Sequence, residues 1–210
     1  MLAKLIRKEL RLALVPPAII FEFFAAMMLI PSYPFMIIFF YGLLGIFFIC
    51  MFGRENHDVE YTALLPVSRT DIVGARFALC IGLELILIVL SAVFASLRPF
   101  LGMRENLAGM NPDAAFFGFG LLLIGLFNLV FFPKYYRNTN KIGIPFLIAS
   151  LIYAGGMIVT EAACIAGGLE SAPGYVGIIV LVAGAAAYAG LTWAAYRISC
   201  RHFQSMNLNS

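Results

Sequence analysis

Residues 35–53, FMIIFFYGLLGIFFICMFG, form an uninterrupted apolar run without a single charged side chain. At about 1.5 Å per residue, a helix of this length covers the roughly 30 Å of a bilayer's hydrocarbon core. Soluble proteins carry about 25% charged residues, whereas this chain of 210 residues carries 12%, with 62% hydrophobic residues and a mean hydropathy of +0.96. The reading is an all-α, polytopic membrane protein forming one transmembrane domain over 1–210.

Further apolar runs flank the first. Upstream, the apolar segment after Pro16 and Pro17 reaches Ile30 and is separated from Phe35 by the turn Pro31-Ser32-Tyr33-Pro34. Downstream, runs cover 75–97, 114–132, about 142–166 and about 175–196, the last two joined by a glycine-bearing turn. Six transmembrane helices are therefore expected. Residues 1–14, MLAKLIRKELRLAL, space Lys4, Arg7, Lys8 and Arg11 by three and four with leucine and isoleucine between them, which predicts an amphipathic helix in the membrane interface. Pro16 and Pro17 are expected to kink the chain there, because proline lacks an amide donor and its ring clashes with the preceding turn. The same interruption, with Glu22 and no small-residue cleavage site, argues against a removable signal segment.

Charge distribution orients these spans. Of the 14 Lys and Arg residues, all but Arg98 and Arg104 fall in the N-terminal segment, the loops after the second and fourth spans, and the C-terminal segment. The positive-inside rule then places both termini in the cytoplasm. Tyr33 and Tyr175 are expected at the outer interface, and Tyr135, Tyr136, Trp193 and Tyr196 at the inner one. The scattered basic residues form no patch for nucleic acid despite a pI near 8.7.

Enzymatic motifs are missing from the sequence. None of the lysines (Lys4, Lys8, Lys134, Lys141) precedes Ser or Thr, so there is no P-loop, and ATP with its magnesium would have to be handled elsewhere. Cys50, Cys80, Cys164 and Cys200 lack metal or disulfide spacing and are expected as small buried hydrophobes; His57 and His202 have no zinc context. No cofactor or metal is expected on this chain.

Three carboxylates interrupt apolar runs: Glu22, Glu84 and Glu161. A charge at a helix centre costs about 2.5–3.5 kcal/mol on insertion scales, so such groups usually face a bundle interior or a path through it. They are the candidates for a translocation path, with structural, hydrogen-bonded carboxyls as the alternative. Small residues (Gly155, Gly156, Ala183, Gly184, Ala186, Ala187, Gly190) predict close helix packing within one subunit or between two, and the Phe-rich second span is expected to face lipid or a second copy.

The longest polar stretch is 54–76, between the second and third spans. It holds Glu55 and Glu60, then Leu64-Leu65-Pro66-Val67-Ser68-Arg69, then Asp71 and Arg76; Ser68 has the position of a helix N-cap, with Asp71 three residues on. A short rigid element between two spans is suited to passing on motion. The pattern Glu-x-x-x-Leu-Leu-Pro-x-Ser-Arg-x-x-Ile-Val-x-x-Arg, with Lys4-Leu5-Ile6-Arg7-Lys8-Glu9-Leu10, resembles the ABC-2 type permeases of bacterial ABC transporters. It is closest to the small six-span exporters, which include the phenol-soluble modulin exporter permease. The resemblance implies a bacterial cytoplasmic membrane protein without catalytic residues, paired with a second permease copy as homodimer or heterodimer. It also implies that Glu55, Glu60, Leu64, Leu65, Pro66, Ser68, Arg69 and Arg76 belong to a coupling element docked on a separate ABC ATPase subunit, and that the substrate is an amphipathic peptide or other hydrophobic molecule. Two other classes stand beside it: an ion-coupled secondary transporter using Glu84 and Glu22, for which inverted repeats would be expected and none is evident, and a non-transporting peptide-immunity protein.

Overall fold

The computed structural model describes residues 2–103, 105–167 and 174–206. Arg104 and the expected turn before the last span lie outside the described residues. Those described are helical wherever secondary structure is regular: α1 (Leu2–Lys8) continues as a π-helical turn (Glu9–Ala13), and α2 (Pro16–Glu22) continues as a 3-10 helix (Phe23–Leu29). Then follow α3 (Met36–Glu55), α4 (Asp58–Ala63), α5 (Arg69–Leu97), α6 (Ala114–Arg137), α7 (Gly143–Ala166) and α8 (Gly174–Ser205). Five of these, α3 and α5 to α8, are long and apolar enough to cross a membrane; Leu2–Ala13 and Pro16–Leu29 together form a pair bent by 90°. The bend falls at Pro16 and Pro17, whose missing amides suit the first turn of α2.

Contacts between helices fix chain direction. Phe39 of α3 packs on Phe116 and Phe117 of α6, and Gly184 of α8 meets Gly118 of α6, so α3, α6 and α8 run the same way. Glu84 and Phe77 of α5 meet Asn128 and Phe132 of α6, and Phe146 and Tyr153 of α7 meet Phe47 and Phe40 of α3, so α5 and α7 run oppositely. The segment 16–29 also runs against α3: Ala18 lies beside Gly45, and the Met28 carbonyl accepts a hydrogen bond from Arg98. Direction thus alternates along the six segments. Both ends of the described chain lie at one end of the bundle, together with α4 and the α6–α7 loop. At the opposite end Asn106 donates to the Tyr33 carbonyl at 2.9 Å. There burial, reinforced by the hydroxyl of Tyr41, pushes the Tyr33 phenol up to about 12.

The closest contact is α6 on α8. A Cβ on Gly184 would overlap the carbonyl of Gly118, so backbone meets backbone. Of the small residues expected to pack, Gly184 makes the contact within the subunit, while Ala183, Ala186 and Gly190 are exposed. A correction concerns α3. Phe35 and Phe39 are buried in the core, while Phe40 and Phe47 are half-buried and pack on α7, so much of this Phe-rich helix lies inside the bundle rather than facing lipid. Tyr135 and Tyr136, expected in an interfacial belt, are fully buried against Phe131 and Phe203. Trp193 and Tyr175 are exposed. One helix overruns its expected loop: α6 continues through Pro133 to Arg137, whereas α5 begins at Arg69, directly after Ser68. At 29 residues α5 is about 43 Å long, more than a bilayer core needs. All four cysteines are buried, as expected of small hydrophobes.

Candidate functional site

The polar stretch after α3 folds into a compact element. His57 adopts a left-handed conformation (φ 50°) that reverses the chain after Asn56, and its ring lies 2.8 Å from Glu60. α4 follows, with Asp58 and Glu60 in its first turn, where the helix N-terminus favours negative charge. Pro66 interrupts the helical path, and Ser68 then caps α5 by accepting a hydrogen bond from the Asp71 amide at 3.0 Å, as its position predicted.

Four charged side chains tie this element to the rest of the protein. Arg76, in the second turn of α5, donates through Nε to Glu9 at 2.5 Å and through Nη2 to Asp58 at 2.6 Å. Lys8 pairs with the other Asp58 oxygen at 2.6 Å, with Glu9 at 3.1 Å, and donates to the Thr62 hydroxyl at 2.8 Å. Thr62 in turn donates to the Asp58 carbonyl at 2.7 Å. Arg76 and Glu9 are 2% and 3% exposed, and the two cations balance the two anions. Such balance is what a buried charge requires, since the penalty of removing it from water is several kcal/mol per ion. Gly53 leaves room for the guanidinium: a Cβ there would lie 3.0 Å from Nη1. The N-terminal helix, α4 and the start of α5 are thereby held as one unit. A cleft of about 280 Å³ separates Leu12, Ala13 and Val15 from Phe52, Asn56 and Tyr61.

Arg69 makes a second tie. Its Nη1 donates to the carbonyls of Phe203, Gln204 and Met206 at 2.9, 3.0 and 2.8 Å, and its guanidinium lies 5.7 Å from the centre of the Phe203 ring. It therefore caps the C-terminal end of α8, where cations are favoured. His202 of the same turn donates to the Pro133 carbonyl of α6 at 2.8 Å.

The residues expected in the coupling element thus separate into two groups. Leu64 is 82% exposed; Tyr61, Leu65 and Pro66 are exposed beside it, and Glu55 and Glu60 are charged neighbours on the same element. Arg76, expected on the ATPase-facing side, is buried and acts from within, while Arg69 points to α8. Lys8, Glu9, Asp58 and Thr62 were not singled out from sequence. Lys8 and Glu9 do lie in the N-terminal motif, but nothing in a sequence shows that they meet a loop some fifty residues later.

The three membrane carboxylates occupy different settings. Glu84 is 3% exposed; it accepts from Tyr188 at 2.6 Å and from Asn128 at 3.1 Å, and Asn128 also donates to Thr192 at 3.2 Å. Glu22, 7% exposed, is close enough to Glu84 for the two carboxyls to interact electrostatically. Glu161 stands apart, beside Gly109 in the loop after α5. Asn128, Tyr188 and Thr192 were missed because each is an ordinary residue within an apolar helix; spacing of the partner helices alone would have brought them to Glu84.

This is the architecture of a polytopic helical membrane subunit with a rigid element protruding at one end of its bundle. The family described as ABC-2 family transporter protein matches residues 3–204, and the chain belongs to that family. Its members are membrane subunits that work with ABC ATPases. No curated protein and no solved structure matches the chain.

Proposed function

We propose that this chain is the membrane-spanning permease subunit of an ATP-driven exporter of the bacterial cytoplasmic membrane, crossing six times with both termini inside. It would bind one ABC ATPase through residues 54–76 and pair with a second permease, identical or related. ATP and magnesium would sit on the ATPase; this chain would carry no catalytic residue. The observation that carries the reading is the apolar knob of Tyr61, Leu64 and Leu65 held out at the C-terminal end of α4 by the Lys8, Glu9, Asp58 and Arg76 network. Exposed apolar groups rimmed by polar ones mark a protein interface, and an aromatic among them is a frequent energetic anchor. A knob held this rigidly would pass ATPase movement to α1, α5 and, through Arg69, to α8. The substrate class, amphipathic peptides or other hydrophobic molecules as in the phenol-soluble modulin exporter, follows from the family resemblance.

Co-expression with the ATPase tests the assignment. Leu64→Asp and Leu65→Asp should abolish co-purification and substrate-stimulated hydrolysis while leaving the permease folded. If both survive, the docking assignment is wrong. The buried carboxyls of Glu22 and Glu84 favour a second reading, an ion-coupled carrier, which would move substrate in vesicles under a proton gradient without ATP.

A further inference from the structure

Glu84 and Asn128 form an acceptor-rich cluster in the middle of the bundle, and Glu22 is near enough to Glu84 to interact with it electrostatically. One oxygen of each, Oε1 of Glu84, Oδ1 of Asn128 and Oε2 of Glu22, makes no hydrogen bond among the described residues. Asn128 is fully buried and both glutamates are more than nine-tenths buried. The hydrogen-bond partners of Glu84 and Asn128 are each other, Tyr188 and Thr192, all without positive charge. An ionised carboxylate buried there is favoured only beside a positive charge. The unpaired oxygens are acceptors suited to a cation bearing several N–H donors.

Beside it runs an apolar groove of about 500 Å³ between α5 and α8, lined by Phe77, Ile81, Tyr188, Thr192, Trp193 and Tyr196 among others. Glu84 lies three residues beyond Ile81, on the same side of α5, at the end of the groove where Tyr188 stands. Two groove residues, Tyr188 and Thr192, reach through to the polar cluster with their hydroxyls. Tyr188 therefore separates the groove from Glu84 by a single ring. Aromatic walls suit a cation's approach as well as an apolar chain.

We propose that this is a binding site for a cationic amphiphile: a primary ammonium group takes the acceptors of Glu84 and Asn128, displacing the Tyr188 hydroxyl, with Glu22 adding electrostatic attraction, and the apolar body lies along the groove. The N–H donors of an ammonium fit the unpaired Oε1 of Glu84 and Oδ1 of Asn128 together with the Glu84 oxygen that Tyr188 releases. As the substrate site of a permease the assignment rests on the proposed function, yet binding itself needs neither ATPase nor ATP.

Trp193, the only tryptophan of the chain, lies in the groove and reports occupancy. The purified chain in phosphatidylcholine nanodiscs is titrated with bromododecylammonium, and with bromododecanol as its uncharged counterpart. Saturable quenching by the ammonium alone is expected, with at least tenfold weaker binding in Glu84→Gln and Glu22→Gln and no change in Glu105→Gln, an exposed carboxylate far along the chain. Size exclusion and circular dichroism establish that each variant is folded; glutamine keeps the shape of the side chain. Equal quenching by the alcohol, unchanged binding in both folded glutamine variants, or a Trp193 shielded from both probes by a second copy would overturn the site. None of these results alters ATPase co-purification, so failure here is separable from failure of the permease assignment.

Discussion

Arg76 donates to Glu9 across 67 positions of the chain, joining α5 to the helix that precedes every membrane span. The same guanidinium holds Asp58, so the element expected to touch a partner is anchored by a residue the partner cannot reach.

Breaking that anchor should be costly. Removing one member of a buried pair leaves an uncompensated charge and typically destabilises by about 3–5 kcal/mol. Arg76→Gln is expected in that range, measured by denaturant unfolding in mixed micelles. Glu9→Gln, which keeps a hydrogen-bond acceptor, should lose less. Because both act in one network, the double variant should fall short of the sum of the singles. An Arg76→Gln protein as stable as the parent would show that the network holds nothing together.

Arg69 predicts a local effect instead. Its hydrogen bonds to three carbonyls are partly exposed to solvent, so their loss should amount to about 1–2 kcal/mol rather than the full value of charged hydrogen bonds. Arg69→Ala should therefore speed amide exchange at residues 200–206 by roughly tenfold, while α6 and α3 remain protected. Acceleration throughout the bundle, or none, would contradict the capping role.

The spans themselves were readable because hydrocarbon demands long uncharged runs, and the residues 35–53 are one. Where helices end was less readable. Pro133 read as a stop, yet α6 continues past it, since burial of Tyr135 and Tyr136 favours the last turn more than one missing amide opposes it. The shape of the 54–76 element was legible through Ser68 and Pro66, whose effects are local. The partners of Arg76 and Glu84 were not, because they depend on which helices become neighbours, and an alternating bundle can be arranged in more than one way.

Glycine substitutions separate the two faces of α8. At Gly190 an added Cβ meets open space, and alanine should gain up to about 1 kcal/mol of helix propensity. At Gly184 the same methyl overlaps the Gly118 backbone, which cannot yield as a flexible side chain would. Gly184→Ala should lose about 1–3 kcal/mol by overpacking and drive α6 and α8 apart. Thermal unfolding of the two variants, side by side, reads both signs; equal effects would refute the contact.

Sidedness can be tested with thiols, because all four native cysteines are buried and should resist a membrane-impermeant maleimide until the protein is unfolded. Leu64 and Leu107 are 82% and 89% exposed, in loops at opposite ends of the bundle. Leu64→Cys should label only from the cytoplasmic side and Leu107→Cys only from the outside, and tags on both termini should be accessible only from the cytoplasm. The segment 16–29 decides where the N-terminal tag lies. Seven α-helical residues at about 1.5 Å and seven 3-10 residues at about 2.0 Å extend it to about 24 Å, short of a full bilayer core. Its Ala18 lies beside Gly45 of α3, and its Met28 receives Arg98 from the far end of α5, which sets its direction in the bundle. The proposed six crossings require this segment to span, with the 3-10 geometry stretching its fourteen residues. An N-terminal tag accessible only from outside, with Leu64→Cys still labelled from the cytoplasm, would remove that crossing; labelling of Leu64→Cys and Leu107→Cys from the same side would remove the crossing of α5.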